Sequence, residues 1–548
     1  MRLINTSTLQ LERFSSSKNT PPYAILSHTW GSDEDEVSFE DMKPKFPLSQ
    51  TEKKYGIEKI KMTCQLAREE HNLKYAWVDT CCIDKSSSAE LSESINSMFK
   101  WYHQAVVCFA FLADWEPEDQ TFAHCKWFAR GWTLQELVAS ETLIFYDKTW
   151  QARGNKLAYC SEVARISRIS EAVLTGQTQL ADVPVAVRLS WAAERTTTRE
   201  EDIAYSLLGI FDINMPMLYG EGHKAFLRLQ EEIIKSNVDM SIFAWKALPE
   251  TCQDYMGILA PSPREFKDAS RLYPALSQML LGPILTFSIS NHGVQFHAPP
   301  QSDESTGLVI LPVLHFDLPP DKSANSFDLT KRITSYGVYL RMIGQKDFVR
   351  ALPYRLADYA PEAAAFDSHS FRVSKSLSAE NSAAVGRREI RVRKPADLEH
   401  PNFGLASVQP NPSWSSSLRT LTASQTDYFS ASLHFRPIWS NEFPSFTLLC
   451  QFRNPRGALF SPGFWQCDLV REDEWSAQIP LYYIATHNYA LSCRDDTPSL
   501  VTKTLELPHL RGDSRTKRVV LSLQREHNVE NGQTQFFIDL QVGDGDKQ

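Results

Sequence analysis

The first 150 residues alternate between short apolar runs and amphipathic stretches, and this alternation constrains the chain more than any other feature. YAILS (23–27), LKYAWVD (73–79), AVVCFAFL (105–112) and ETLIFYD (141–147) read as strands. AVVCFAFL is apolar without alternation, as expected of a strand covered on both faces. Between the strands, Ile57, Ile60, Cys64 and Ala67 recur at helical spacing, as do Leu91, Ile95, Met98, Phe99 and Tyr102. Ser87 or Ser88 is placed to cap the second of these helices. RGWTLQELVAS (130–140) reads as a further short helix. Strand–helix–strand order implies parallel β-α-β units with right-handed crossovers. The expected fold is an α/β domain with a flavodoxin-like parallel sheet over residues 1–152.

In such sheets ligands sit beyond the carboxyl ends of the strands, near the switch in strand order. That rule selects His28, Thr29, Trp30 and Gly31 after the first strand, Asp79, Thr80 and Cys81 after the second, and Asp114 and Trp115 after the third. Residues 153–250 read as a mainly helical segment. From 255 to 548 short β-rich runs dominate, and Asn531-Gly532 between two of them signals a hairpin. QSDEST (301–306) and KSLSAENSAAVGRR (375–388) read as exposed loops.

At 548 residues the chain is too long for one core. Its formal net charge of −9 argues against nucleic-acid binding through phosphate neutralisation. The N-terminus lacks a basic stretch followed by an apolar run. The most apolar window, 276–289, is too short to span a bilayer. A cytosolic location without a transmembrane segment is expected. Ten cysteines without a C-x-x-C pair argue against a disulfide framework or a structural zinc site. His103, Cys108, His124 and Cys125 lack metal-ligand spacing, so no metal is assigned. No phosphate-binding loop of P-loop type is present.

YAILSHTWG, YAWVDTCCIDKSSSAELSESINSMFKWY and WFARGWTLQELVAS, in that order, resemble the fungal heterokaryon-incompatibility (HET) domain over roughly residues 20–150. The run from RLSWAAERTTTREEDIAYSLLGIFDI to DMSIFAW resembles the segment that commonly follows such domains. The resemblance implies a cytoplasmic effector in nonself recognition and programmed cell death, a form of fungal innate immunity. It also implies self-association and an incompatibility partner protein.

A second resemblance is to TIR domains. The matching pattern is AVVCFAFL, then Trp132, Glu136 and Leu137, then TLIFY, with Thr133 where a cysteine is usual. Several TIR domains cleave NAD at the nicotinamide–ribose bond with that glutamate. The resemblance therefore makes Glu136 the catalytic candidate and NAD a substrate, with no cofactor required.

Helical geometry places Leu134, Leu137 and Val138 on one side, and Trp132, Gln135 and Glu136 on the other. Trp132 and Glu136, four residues apart, are neighbours, and an indole beside a carboxylate raises its pKa. A carboxylate facing the ribose stabilises an oxocarbenium-like transition state. The Thr29–Gly31 backbone and Arg130 would then hold the pyrophosphate. Against this stands a solvated Glu136 beside a half-buried Trp132. His28 and Trp30 read either as ligand contacts or as loop-anchoring and packing groups. Asp79 reads as a pocket or capping residue. A Cys–His hydrolase built on Cys81 or Cys82 with His28 would need an oxyanion hole that the sequence does not display. Two function classes remain: an NAD-hydrolysing enzyme, and a non-catalytic module that self-associates and recruits partners.

Overall fold

The computed structural model describes most of residues 1–274, except 15–18, 44–53, 252 and four positions between 117 and 121. Beyond residue 274 it describes the strands and their shorter connections. The N-terminal sheet has seven strands: β1 (Arg2–Asn5), β2 (Leu11–Arg13), β3 (Tyr23–His28), β4 (Tyr75–Trp77), β5 (Val107–Phe111), β6 (Leu143–Tyr146) and β7 (Ala152–Asn155). Their order is β2-β1-β4-β3-β5-β6-β7. β4, β3, β5 and β6 are mutually parallel, with Ile25 of β3 paired to Trp77 on one side and Cys108 on the other. β1, β2 and β7 run antiparallel at the edges. The sheet is therefore mixed, not all-parallel as expected. The edge strands escaped the sequence reading because they are three or four residues long and only partly covered.

The four parallel strands, counted in chain order, lie 2-1-3-4. The order reverses between β3 and β5, so a crevice beyond the carboxyl ends of these two strands is the place a ligand would enter. Every residue of β3 and β5 is buried, which explains their unbroken apolar runs.

Five helices connect these strands: α1 (Gly56–Glu69), α2 (Asp79–Cys82), α3 (Ser88–Gln104), α4 (Lys126–Ala129) and α5 (Thr133–Ala139). Ser87 caps α3, accepting from the Glu90 amide at 3.4 Å. The buried stripe of α3 carries Ser94, Ile95, Met98 and Tyr102. Among the described residues, no helix is long and apolar enough to cross a membrane.

The hydrophobic core does not stop at residue 152 or at 250. One continuous cluster runs from Leu3 to Val385, joining the sheet, the helical segment and the first β-rich part. A second core begins at Ile390 and reaches Leu540. The β-rich region is thus divided. Strands between Tyr255 and Val373 pack with the N-terminal half, whereas sheets of six and five strands build the second core. Glu389 stands at the junction, accepting from Tyr255 Oη at 2.5 Å with Arg341 Nε at 3.4 Å.

Gln301–Asp303, expected in a loop, forms a strand on Leu308–Ile310. Strands Thr516–Asn528 and Gln533–Asp544 pair antiparallel, Asn528 opposite Gln533. Asn531-Gly532 itself lies outside the described residues, as do most of the apolar window 276–289 and much of 375–388.

The helical segment docks on α3 through a close approach. A Cβ on Gly209 would lie 2.0 Å from Cβ of Phe99. Gly209→Ala should therefore cost about 1–3 kcal/mol by overpacking, seen as a lower urea midpoint with an unchanged m-value. An unchanged midpoint would show that this contact does not hold the segment in place.

Candidate active site

The carboxyl end of β3 delivers Ser27 and His28 to the point where strand order reverses. Ser27 sits at the centre of a buried hydrogen-bond chain. Its Oγ accepts from the indole Nε1 of Trp127 at 2.8 Å, and its hydroxyl donates to Glu136 Oε2. Trp127, on α4, is fully buried, and Glu136, on α5, is 5% exposed. The indole fixes the direction of the serine hydroxyl, leaving its proton for the carboxylate. Tyr102 stands beside the same carboxyl group, its own hydroxyl donating to Leu26 O at 2.9 Å.

Burial dominates the ionisation of Glu136 and pushes its pKa up to about 7. The Ser27 hydrogen bond works against burial, the Asp79 charge reinforces it, and Arg130 and Tyr102 oppose it. Burial, and then the charges of Glu136 and Asp79, hold the Tyr102 phenol firmly protonated.

The two-faced reading of α5 fails. Leu134, Leu137, Gln135 and Glu136 are all buried, and only Val138 is half-buried. A helix of seven residues set into a core has no solvent face. Glu136 points toward Ser27, so it is not a solvated surface group. Trp132 is half-buried, and its indole N–H points to Asp202 Oδ2 at 3.4 Å. Asp202 also accepts from Tyr219 Oη at 3.0 Å. The indole in the Glu136 network is that of Trp127, a residue the sequence reading did not single out.

A second carboxylate, Asp79, opens α2 at the end of β4. Its Oδ1 lies 3.3 Å from His28 Nε2, within ion-pair reach but without hydrogen-bond alignment. Its Oδ2 accepts from Trp30 Nε1 at 2.8 Å. Burial disfavours the Asp79 charge, but His28, and then Lys85 and Arg130, outweigh it and hold the carboxyl well below its usual range. Trp30 is 39% exposed, not packed. Lys85 Nζ lies 3.7 Å and the Arg130 guanidinium 4.9 Å from its ring centre. The rim of the site is thus an indole flanked by two cations.

The loop after β3 is less open than expected. The Gly31 amide donates to Glu36 Oε1 at 2.8 Å. Glu36 also pairs with Lys59, whose Nζ bonds Thr29 O at 3.2 Å. The Gly31 N–H is therefore engaged within the protein. Cys81 and Cys82 are buried, and hydrogen bonding to Cys82 together with burial raises the Cys81 thiol well above its ordinary value. A thiol so held is a poor nucleophile, which counts against Cys81 in a Cys–His hydrolase.

Arg195 completes the site from beyond residue 152. Its Nη1 donates to Arg130 O at 2.8 Å and to Thr133 Oγ1 at 3.0 Å, holding the turn that leads into α5. Next to it, Gly131 N donates to Thr196 O and Thr196 N to Ala129 O, each at 2.8 Å. Burial lowers the Arg195 pKa to about 9, with the Glu136 charge opposing the shift. Ser27, Tyr102, Trp127 and Arg195 were all missed at the sequence level. Ser27 and Tyr102 carried a faint signal, one at a strand end and the other closing the apolar stripe of α3. Arg195 carried none, because its role comes from tertiary contact.

The raised pKa of Glu136 has a thermodynamic consequence. Between its ordinary 4.5 and about 7, the folded chain keeps a proton that the unfolded chain has lost. Stability therefore falls as pH rises through this window and levels off above it. Glu136→Gln removes the effect. Relative to wild type, the variant should gain up to about 3 kcal/mol between pH 4.5 and pH 8, measured by urea unfolding at each pH. A stability difference independent of pH would contradict the buried, protonated state.

Residues 23–124 match the family model described as heterokaryon incompatibility protein (HET), and residues 224–294 match a domain of unknown function, DUF8212. The HET match includes Ser27, His28, Asp79 and Tyr102 and ends before Trp127, Arg130 and Glu136. Vegetative incompatibility protein HET-E-1 of Podospora anserina is 44% identical over 232 residues. That stretch is 40% of this chain and 17% of the relative, so the chain spans only a small part of its length. No solved structure matches. The HET match therefore lies within the N-terminal α/β domain and takes in the carboxyl end of β3.

Proposed function

We propose that this protein is an effector of heterokaryon incompatibility that acts in the cytosol. In this reading its HET domain hydrolyses NAD or a related nucleotide through Glu136, in the manner of TIR domains. The observation that carries the reading is a buried carboxylate tuned to about pH 7 at the switch point of a 2-1-3-4 parallel sheet. The rim supports it. Trp30 offers a ring for stacking, and Lys85 and Arg130 offer charge to a pyrophosphate.

In the proposed step, ionised Glu136 faces the ribose and stabilises positive charge developing at C1′ and the ring oxygen. The C1′–N bond breaks, and its electron pair neutralises the pyridinium, so nicotinamide leaves without a general acid. Water adds to C1′ and releases its proton to solvent. Glu136 is 5% exposed in the single chain. Access for the ribose requires the rim to move, and self-association is the proposed trigger.

The same enclosure favours a second reading, in which Glu136 is a strut and the domain signals by assembling and recruiting a partner protein without catalysis. One assay separates them. The full chain, fused to an oligomerising coiled coil, is incubated with NAD, and nicotinamide release is followed from pH 5.5 to 8.5. The enzymatic reading predicts a rate that rises with pH through about 7, as Glu136 ionises. It also predicts a fall of about 100-fold or more in Glu136→Gln. No release from the folded assembly, or equal release from the variant, would support the strut.

A further inference from the structure

A cleft of about 260 Å³ lies where the α4 region meets the helical segment. Its walls come from the α4 region and the helical segment and include His124, Phe128, Arg168, Trp191, Glu194 and Arg195. Two of these carry buried donors with no partner among the described residues, Nε1 of Trp191 and Nη2 of Arg195. Trp191 is 3% exposed and Arg195 6%. They belong to one turn of chain, because Arg195 Nε donates to Trp191 O at 3.3 Å. Leaving a buried donor unmade costs about 1–3 kcal/mol, more for a charged one. Two such donors on residues of one cleft mark a place for an acceptor from outside.

The surrounding charges define that acceptor. Glu194, the carboxylate in the wall, is already matched by Arg168 at 2.8 Å and Lys267 at 3.4 Å. Arg168 is further held by Lys267 O at 3.1 Å. Among the described residues, Arg195 has no carboxylate of its own within ion-pair distance. Its Nη1 and Nε bond only neutral oxygens. The cleft wall therefore contributes a positive charge and a neutral N–H donor from two residues of one turn, around a volume suited to a small group.

We propose that this cleft binds an oxyanion, the phosphate or carboxylate group of a small ligand, clamped between Arg195 Nη2 and Trp191 Nε1. Binding here does not require any reaction at Glu136. Arg195 nonetheless bonds Thr133, the first residue of α5, so an occupant pulls on the element that carries Glu136.

The test is calorimetric titration of the full chain with inorganic phosphate and, separately, with acetate, at low ionic strength. Wild type, Trp191→Phe, Arg195→Lys and Arg130→Gln are compared. Phenylalanine keeps the packing and removes the N–H, so that variant remains informative even if Arg195→Lys does not fold. Saturable binding is expected in wild type, weakened about 5- to 10-fold by Trp191→Phe and unaffected by Arg130→Gln. Tighter phosphate identifies a phosphorylated ligand, and tighter acetate a carboxylate. Failure of both ions to bind wild type would overturn the proposal. So would binding that Trp191→Phe leaves unchanged and Arg130→Gln abolishes, since the ion would then sit at the Trp30 rim.

Discussion

The hydrogen-bond chain from Trp127 through Ser27 to Glu136 is the interaction on which the N-terminal half depends. It ties α4, β3 and α5 together at the single place where the parallel sheet reverses its order. A buried carboxyl group is tolerable only if its oxygens are satisfied or its charge is neutralised. Both devices are present. Ser27 supplies a donor, and burial moves the pKa up to about 7, so the proton is held through the acidic range and shared at neutrality. Arg195 then fastens the first residue of α5 to the helical segment, whose apolar residues belong to the same core.

Two carboxylates near one strand end have been driven in opposite directions. Glu136 sits among Trp127, Ser27 and Tyr102 and is pushed up. Asp79 sits with His28, Trp30, Lys85 and Arg130 and is held down. Environments that separate two acids in this way are characteristic of sites where one group must change protonation and the other must stay charged. The charge of Asp79 also helps to raise Glu136.

Much of this was legible in the sequence. The runs YAILS, YAW, VCFAF and LIFY became β3 to β6, because strands covered on both faces are apolar throughout. The rule that sends ligands to strand ends picked out His28, Trp30 and Asp79, which the structure brings together. Sequence periodicity failed at α5. It assumes one wet face, and a seven-residue helix sunk in a core has none. It therefore paired Glu136 with Trp132, whose indole turns to Asp202, and overlooked Trp127. The edge strands β1, β2 and β7 were too short to register. The continuity of the core past residues 152 and 250 was invisible because it rests on contacts such as Gly209 on Phe99 and Arg350 on the Phe243 and Trp245 carbonyls.

The chemistry of the N-terminal site turns on the protonation state of one side chain. Its most direct measurement is the side-chain carboxyl carbon resonance of Glu136, followed by NMR against pH in protein labelled at glutamate and assigned by its absence from Glu136→Gln. A single resonance titrating with a midpoint near 7 is predicted, and in Ser27→Ala, which loses the bond favouring the charge, the midpoint should move higher. A midpoint at or below the ordinary 4.5 in wild type would contradict it.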